Sequence, residues 1–213
     1  MKIALIGATG FVGSKVLAEA LQRGHEVTAL VRSPGRLQPA SGLTAVVADA
    51  TDAASIARAG AGHDAVVSAY NGPRGQDDFR ARYLAGARAA IEGTKRADVQ
   101  RLLWVGGAGS LFVAPGVQLV DTPQFPAEYR TEAQAARDAL ELFRAEPALA
   151  WTFVSPAPLL APGERTGRFR LGGNEVLMDG DKPGRISVED LAVAIVDELE
   201  SPRHLRQRFT LAY

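Results

Sequence analysis

The chain opens on the stretch Ile3-Ala4-Leu5-Ile6-Gly7-Ala8-Thr9-Gly10-Phe11-Val12-Gly13, and an amphipathic run from Ser14 to Arg23 follows it. An apolar run that stops at a glycine predicts a β-strand, and the helical spacing of the apolar residues after it predicts an α-helix. The first glycine lets the chain turn sharply, the second lets a phosphate approach the backbone, and the third lets the helix pack closely on the strand. The stretch therefore predicts a strand, a tight turn and a helix.

The start of that helix is a predicted anion site. Its first backbone N–H groups have no partner within the helix, and they lie at the positive end of the helix dipole. The turn is therefore predicted to hold the diphosphate of a dinucleotide through six residues: Gly7, Thr9, Gly10, Phe11, Val12 and Gly13. A purely structural turn is the alternative for three glycines alone, but their place between a strand and a helix favours the dinucleotide.

Strands and helices alternate along the rest of the chain. The β-rich runs are at 26–31, 43–48, 63–72, 101–105 and 150–154, and helical runs lie at 53–59 and 76–95. This alternation predicts an α/β fold, a doubly wound parallel sheet with right-handed crossovers. No linker divides the chain, so residues 1–213 are predicted to form a single domain. The last run, 208–213, is expected to close the sheet or to lie at its edge.

Composition excludes several classes of function. The 213 residues suit one domain, and 24 basic residues balance 24 acidic ones, so no net charge attracts nucleic acid or an anionic membrane. The chain has no cysteine and only three scattered histidines, so we expect no disulfide and no metal site. It starts on a strand without a signal peptide, and no apolar run approaches the roughly 20 residues that span a bilayer. We therefore expect a cytoplasmic protein without a nucleic-acid or membrane partner.

The glycine spacing resembles that of the short-chain dehydrogenase/reductase superfamily, in its extended and atypical branches. The sequence of residues Gly7 to Gly13 is typical of the NmrA-like, NAD(P)H-binding group, which includes NADH-flavin-reductase-like proteins. The phrases at 151–156, 163–167 and 186–190 extend the resemblance over nearly the whole chain. It implies a Rossmann fold, a nicotinamide cofactor and a small C-terminal insertion over the substrate cleft.

The cofactor preference is predicted from the end of the second strand. An NAD site places an acidic residue there, whereas this chain has Arg32, whose fork of donors can hold a 2′-phosphate. NADP is therefore favoured, NAD is possible, and an exposed loop arginine is the alternative. Beyond the glycine turn and Arg32, the predicted cofactor contacts are Asp49 and Ala50 at the adenine pocket, Ser68, Ala69 and Tyr70 after the fourth strand, and Gly107 and Pro156 near the nicotinamide. Asp52 or Thr51 is expected to cap the helix that follows.

The catalytic residues that the resemblance implies are only partly present. Catalytic members of the superfamily carry a serine after the fifth strand, and Ser110 is the candidate here. They also carry a tyrosine with a lysine four residues later, in which the lysine lowers the pKa of the tyrosine. Tyr129 matches the tyrosine, but the position four later is Ala133. Tyr129 is therefore either a catalytic residue or a core residue that packs with Phe125 and Phe143.

The second half of the chain contains several further arginines. Phe169 to Leu171 and Glu175 to Leu177 flank a Gly-Gly-Asn turn, which predicts a small hairpin over the cleft. Three arginines nearby are either substrate contacts or exposed loop residues: Arg165, Arg168 and Arg170. Three on the helical run at 76–95 are predicted to form a solvated face: Arg80, Arg82 and Arg88.

The leading hypothesis is an NADPH-dependent oxidoreductase whose small-molecule substrate is a planar acceptor such as a flavin or a quinone. Reducing a ketone requires an acid for the alkoxide, whereas a reduced flavin or quinone is a delocalised anion that takes protons from water, and this suits a site without the lysine. A non-enzymatic protein that senses NAD(P) is one alternative, because sensing requires only binding. A nucleotide-sugar epimerase or dehydratase is another. The protein is expected to be a monomer or a homodimer.

Overall fold

The computed structural model describes residues 1–72 and 75–213. The strands are β1 (Lys2–Ile6), β2 (Glu26–Val31), β3 (Leu43–Val47), β4 (Ala65–Ser68), β5 (Arg101–Val105), β6 (Phe112–Ala114), β7 (Val117–Gln118), β8 (Ala150–Pro156), β9 (Leu159–Ala161), β10 (Arg170–Gly172), β11 (Met178–Asp179), β12 (Lys182–Pro183), β13 (Arg185–Ser187) and β14 (Gln207–Ala212). The α-helices are α1 (Gly13–Gln22), α2 (Ala53–Gly60), α3 (Phe79–Arg96), α4 (Arg130–Arg144) and α5 (Val188–Glu200).

Eight strands form one central sheet in the order β10-β14-β8-β5-β4-β1-β2-β3. All neighbours in it are parallel except β10 and β14, which are antiparallel. The chain first builds outward from β1 to β3 and then crosses to β4 on the other side of β1. This confirms the predicted doubly wound sheet, and its switch point lies between β1 and β4, where such sheets bind ligands beyond their carboxyl ends.

Buried apolar side chains fill both faces of the sheet. One hydrophobic cluster joins the sheet to α1 and α5, and a second joins it to α2, α3 and α4. Trp104 of β5 is fully buried in the second cluster, where its indole N–H donates to the Tyr83 hydroxyl at 3.2 Å. The central strands are therefore apolar on both sides, as expected for a parallel sheet covered by two layers of helices.

Side chains cap the starts of two helices, one of them at the position that the sequence predicts. The Asp52 carboxylate accepts a hydrogen bond from the Ala54 N–H at the start of α2, and the Ser187 hydroxyl accepts one from the Asp190 N–H at the start of α5. Each cap satisfies an N–H group that has no partner within its helix. Asp52, and not Thr51, is therefore the cap of α2.

The predicted hairpin between residues 169 and 177 is wrong. The strand at its start, β10, pairs with β14 and becomes the edge of the main sheet, while β11 and β12 form a separate hairpin further along. The reason is the open edge of β14, whose backbone groups pair with β10, while Glu175 forms an isolated bridge with Phe112. The final strand consequently lies one place inside the edge.

The described residues contain neither a helix that could span a membrane nor a group of side chains that could hold a metal ion. None of the helices in residues 1–72 and 75–213 is long and apolar enough to cross a membrane. In the same part of the chain, no three histidine, cysteine, aspartate or glutamate residues are grouped so that they could hold a metal ion.

Candidate cofactor and substrate site

The turn between β1 and α1 is tightly packed. Gly7 has a φ of +83°, and a Cβ at this position would lie 2.8 Å from the Ala69 carbonyl oxygen. A Cβ at Gly13 would lie 2.0 Å from the Gly7 carbonyl oxygen. Gly10 closes the turn by donating its N–H to that same oxygen at 2.9 Å. The first and third glycines are therefore required by the backbone, independently of any ligand.

The same turn leaves hydrogen-bond donors free. The backbone N–H groups of Phe11, Val12 and Gly13 donate to no acceptor within the described part of the chain. The first turn of α1 carries no acidic side chain, and Thr9, Gly10 and Phe11 are exposed. Free N–H groups at the positive end of a helix suit an anion. The turn therefore fits the diphosphate of a dinucleotide, as the sequence predicts.

The carboxyl ends of β2 and β3 bring two predicted cofactor residues close enough to interact. Arg32 is exposed and has no hydrogen bond or ion pair within residues 1–72 and 75–213. Asp49 accepts hydrogen bonds from the Thr51 N–H and hydroxyl, both at 2.8 Å. These bonds, with a smaller effect of the Arg32 charge, hold the pKa of Asp49 below its ordinary value. Asp49 is therefore a carboxylate, while the neighbouring Ala50 is half-buried.

The carboxyl end of β4 meets the glycine turn. Ser68 is buried, its hydroxyl accepts a 3.4 Å hydrogen bond from the Tyr70 N–H, and the Ala69 carbonyl faces Gly7. The Tyr70 ring is half-buried against α3, because a Cβ at Gly86 would lie 2.5 Å from the ring carbons. Burial raises the pKa of the Tyr70 hydroxyl, and the Asp49 charge raises it further. The segment from Ser68 to Tyr70 therefore lies directly beside the glycine turn.

The loop after β5 packs on the first turns of α4. A Cβ at Gly109 would lie 2.6 Å from the Ala133 Cβ, and one at Gly107 would lie 3.4 Å from the Ala136 Cβ. Gly107 is half-buried, and Pro156 is buried at the end of β8. The loop is therefore held directly against the helix position where the superfamily places its lysine.

Ser110 lies inside this loop, with 2% of its surface exposed. Its hydroxyl accepts a hydrogen bond from Arg208 Nη1 at 2.8 Å, and the same guanidinium donates to the Asn174 side-chain oxygen at 2.7 Å. Arg208 is itself 6% exposed, and burial lowers its pKa to about 10. The arrangement ties β14 to the loop after β5 and to the segment after β10, which gives Ser110 an anchoring role whether or not it contacts a substrate.

Tyr129 is 55% exposed, in a short turn of helix directly before α4. Its interpretation as a core residue packed with Phe143 is wrong, because Phe143 is fully buried and Tyr129 is not. The phenol has no hydrogen-bond partner among the described residues. Among the described residues, no cation forms a hydrogen bond with Tyr129, whereas the Arg208 guanidinium donates one to Ser110.

Two of the three loop arginines have intramolecular partners. Arg165 forms a bidentate ion pair with the buried Glu19 of α1, with both bonds at 2.7 Å, and this pair is the main cause of a lowered pKa for Glu19. Arg170 donates to the Tyr213 and Met178 carbonyls. Arg168 is exposed and is the one whose side chain has no partner within the described residues.

Sequence reasoning missed two arginines. Arg82 is exposed, as its predicted solvated face requires, and its charge also acts on Asp49 and Tyr70. Arg208 could have been recognised from the sequence, because it is a charged residue at an inward position of an otherwise apolar strand. Arg82 carried no such signal, since only the packing of α3 against Tyr70 brings it near that residue.

The comparisons with known proteins agree with this geometry. The profile of a family described as NAD(P)H-binding matches residues 7–202. A crystal structure of a "putative exported protein" from Burkholderia pseudomallei is 50% identical with a TM-score of 0.90, and each chain is covered fully. A "putative epimerase" from Bacteroides thetaiotaomicron is 42% identical with a TM-score of 0.93, covering 100% of this chain and 96% of that one. A "putative NADH-flavin reductase" from Streptococcus pneumoniae is 35% identical with a TM-score of 0.86, covering 100% and 99%.

Proposed function

This chain belongs to the NAD(P)H-binding family, and we propose that it is an NADPH-dependent reductase that passes hydride to a planar acceptor such as a flavin or a quinone. The observation that carries the proposal is an exposed apolar rim on the segments that follow β1, β5 and β8. Phe11, Val113 and Leu159 are 51%, 44% and 59% exposed. These segments follow the carboxyl ends of parallel strands, where doubly wound sheets bind ligands, and exposed apolar side chains there would suit a flat aromatic acceptor.

We assign one part of the dinucleotide to each group of proposed contact residues. The free N–H groups of the glycine turn would bind the diphosphate, and Asp49 would line the adenine pocket. Arg32 would bind the 2′-phosphate, which favours NADPH over NADH, because a guanidinium forms paired hydrogen bonds with phosphate. When bound, the reduced nicotinamide supplies the hydride, and the residues of the chain orient it.

Ala133 supports this acceptor class over a ketone. In the superfamily, a lysine four residues after the tyrosine makes the tyrosine an effective acid, and this chain has Ala133 at that position after Tyr129. Proton donation to an alkoxide would therefore be slow, whereas hydride transfer to a quinone or a flavin leaves an anion that water protonates. The epimerase class normally relies on the intact tyrosine and lysine pair, so Ala133 also weighs against the activity named for the Bacteroides protein.

A sensor that binds the dinucleotide without turnover is the second candidate. Ala133 in place of the superfamily's lysine favours the sensor as much as it favours the reductase. The predicted cytoplasmic location and monomeric or dimeric state belong to both proposals and distinguish neither.

The test is a titration of NADPH and NADH beside a turnover assay with FMN, riboflavin and small quinones. We expect Arg32→Ala to weaken NADPH binding by roughly tenfold or more while NADH changes little, since a hydrogen bond to a charged group contributes about 1.5–3 kcal/mol. The matched control is Arg58→Ala on α2, an exposed arginine without a partner in the described residues. It should leave both affinities unchanged.

The outcomes separate the candidates. Acceptor-dependent oxidation of NADPH supports the reductase. Tight binding without oxidation by any acceptor sinks the reductase and favours the sensor. If neither nucleotide binds, the interpretation of the glycine turn as a dinucleotide site is itself wrong.

A further inference from the structure

Arg82 stands one turn before Gly86 on α3, at the place where Tyr70 packs on that helix. Residues four apart lie on the same face of a helix, so Arg82 projects from the face of α3 that the Tyr70 ring covers. Its side chain is 54% exposed. An arginine of α3 therefore borders the adenosine end of the proposed cofactor cleft.

The guanidinium of Arg82 is only partly used. Its Nε donates to the Asp78 carboxylate, one turn earlier on the chain. Its two terminal NH2 groups have no partner within residues 1–72 and 75–213. An exposed ion pair four residues apart contributes little to stability, so the fold itself does not require this arginine. The bond to Asp78 instead orients the Arg82 guanidinium and leaves the terminal NH2 groups of that arginine available to a ligand.

Arg82 and Arg32 act on the same two groups. The positive charges of both arginines lower the pKa of the Asp49 carboxyl, after the larger effect of the Thr51 hydrogen bonds. Both also act on the Tyr70 hydroxyl. Arg32 follows β2 and Arg82 belongs to α3, so the two cations reach this region from different elements.

We propose that Arg82 is a second phosphate-binding residue, which with Arg32 forms a two-arginine clamp for the 2′-phosphate of the adenosine ribose. The inference rests on the proposed NADPH preference and adds a residue to it. A guanidinium group supplies paired hydrogen-bond donors, and the oxygens of a dianionic phosphate can accept hydrogen bonds from two such groups. The Asp49 carboxylate, on which both cations act, offsets part of the repulsion between two like charges.

The test measures the binding of NADPH, NADH and 2′,5′-ADP by isothermal titration, without turnover. We expect Arg82→Ala to weaken NADPH and 2′,5′-ADP about tenfold and NADH less than twofold. Arg82→Lys should give an intermediate loss, because it keeps the charge and loses the fork. Arg88→Ala is the matched control on the same helix, exposed and without a partner in the described residues, and it should change none of the three affinities.

A second readout is the dependence of binding on salt. Loss of one phosphate contact should make the affinity for 2′,5′-ADP less sensitive to ionic strength in Arg82→Ala than in the wild type. The combined Arg32→Ala and Arg82→Ala variant should no longer distinguish NADPH from NADH.

The binding data distinguish a failure of the proposed NADPH function from a failure of the two-arginine clamp. If the wild type shows no preference for NADPH over NADH and does not bind 2′,5′-ADP, the proposed NADPH function fails. If the wild type prefers NADPH and Arg82→Ala retains the full preference, the clamp alone is overturned and Arg82 is a surface ion-pair residue. Equal weakening of NADH and NADPH by Arg82→Ala would also overturn the clamp, because it would place Arg82 at a part common to both nucleotides.

Discussion

Gly13 has no room for a side chain, because it packs against the backbone of the turn that precedes it. A Cβ there would lie 2.0 Å from the Gly7 carbonyl oxygen and 3.2 Å from the Ala8 Cα, so α1 would have to move away from β1. We expect Gly13→Ala to destabilise the fold by about 1–3 kcal/mol, the usual cost of overpacking. It should also weaken dinucleotide binding, because the displaced helix start carries the free N–H groups. Thermal unfolding and nucleotide titration measure the two effects.

The control for that substitution is Gly35→Ala, since a Cβ at Gly35 would have nothing within 4 Å. It should leave both the melting temperature and the affinity unchanged. Equal melting temperatures for the two variants would contradict the close packing of the turn on which the proposed site depends.

At the scale of elements, Asp190 fastens the segment after β9 to the start of α5. It is fully buried and accepts hydrogen bonds from the Thr166 and Gly167 N–H groups, each at 2.8 Å, and from the Tyr213 hydroxyl at 2.8 Å. Burial alone would raise the pKa of Asp190, but these hydrogen bonds outweigh it and hold the pKa below its ordinary value. The carboxylate form therefore stabilises the connection between the two elements.

Asp190→Asn is expected to destabilise the protein at pH 7 by about 1.5–3 kcal/mol, because an amide turns a donor toward groups that also donate. A depressed pKa in the folded state contributes stability above the unfolded value, near 3.9, and that stability is lost as the pH falls through the folded value. The wild type should therefore lose stability steeply below about pH 4, and the variant less steeply. Urea unfolding between pH 2.5 and pH 7 measures both slopes.

The comparison variant for this pH profile is Asp181→Asn, which changes an exposed carboxylate between β11 and β12. Its profile should follow that of the wild type. Parallel profiles for Asp190→Asn and the wild type below pH 4 would show that Asp190 is not the group whose protonation loosens this connection.

At the scale of the whole molecule, both hydrophobic clusters share one sheet. The final strand, β14, pairs with β8 and with β10 and contributes the buried Phe209 and Leu211, so the C-terminal part is continuous with the core. We expect residues 1–213 to unfold in one cooperative step, with the fluorescence of Trp104 and Trp151 and the far-UV circular dichroism changing together. Under the proposed function, NADPH at about 100 times its Kd should add about 2.7 kcal/mol of stability. Two separated transitions would contradict the single-domain prediction.

The sequence by itself determined the elements whose signals are local. The bounds of β2 and β5 are as predicted, and Asp52 and Ser187 cap the helices that follow them. The strand, glycine turn and helix at the start were predicted from spacing alone. Such features depend on backbone conformation and on neighbours within a few residues, so a single chain carries the information for them.

Only the tertiary structure decided the contacts between distant segments. Arg208 meets Ser110 across 98 positions and Arg165 meets Glu19 across 146 positions. The same holds for β10, which joins an open sheet edge and does not form a local hairpin, and for the Tyr70 ring, which packs on Gly86 of α3. Local propensity cannot specify these contacts, because each depends on where the sheet has already placed the partner.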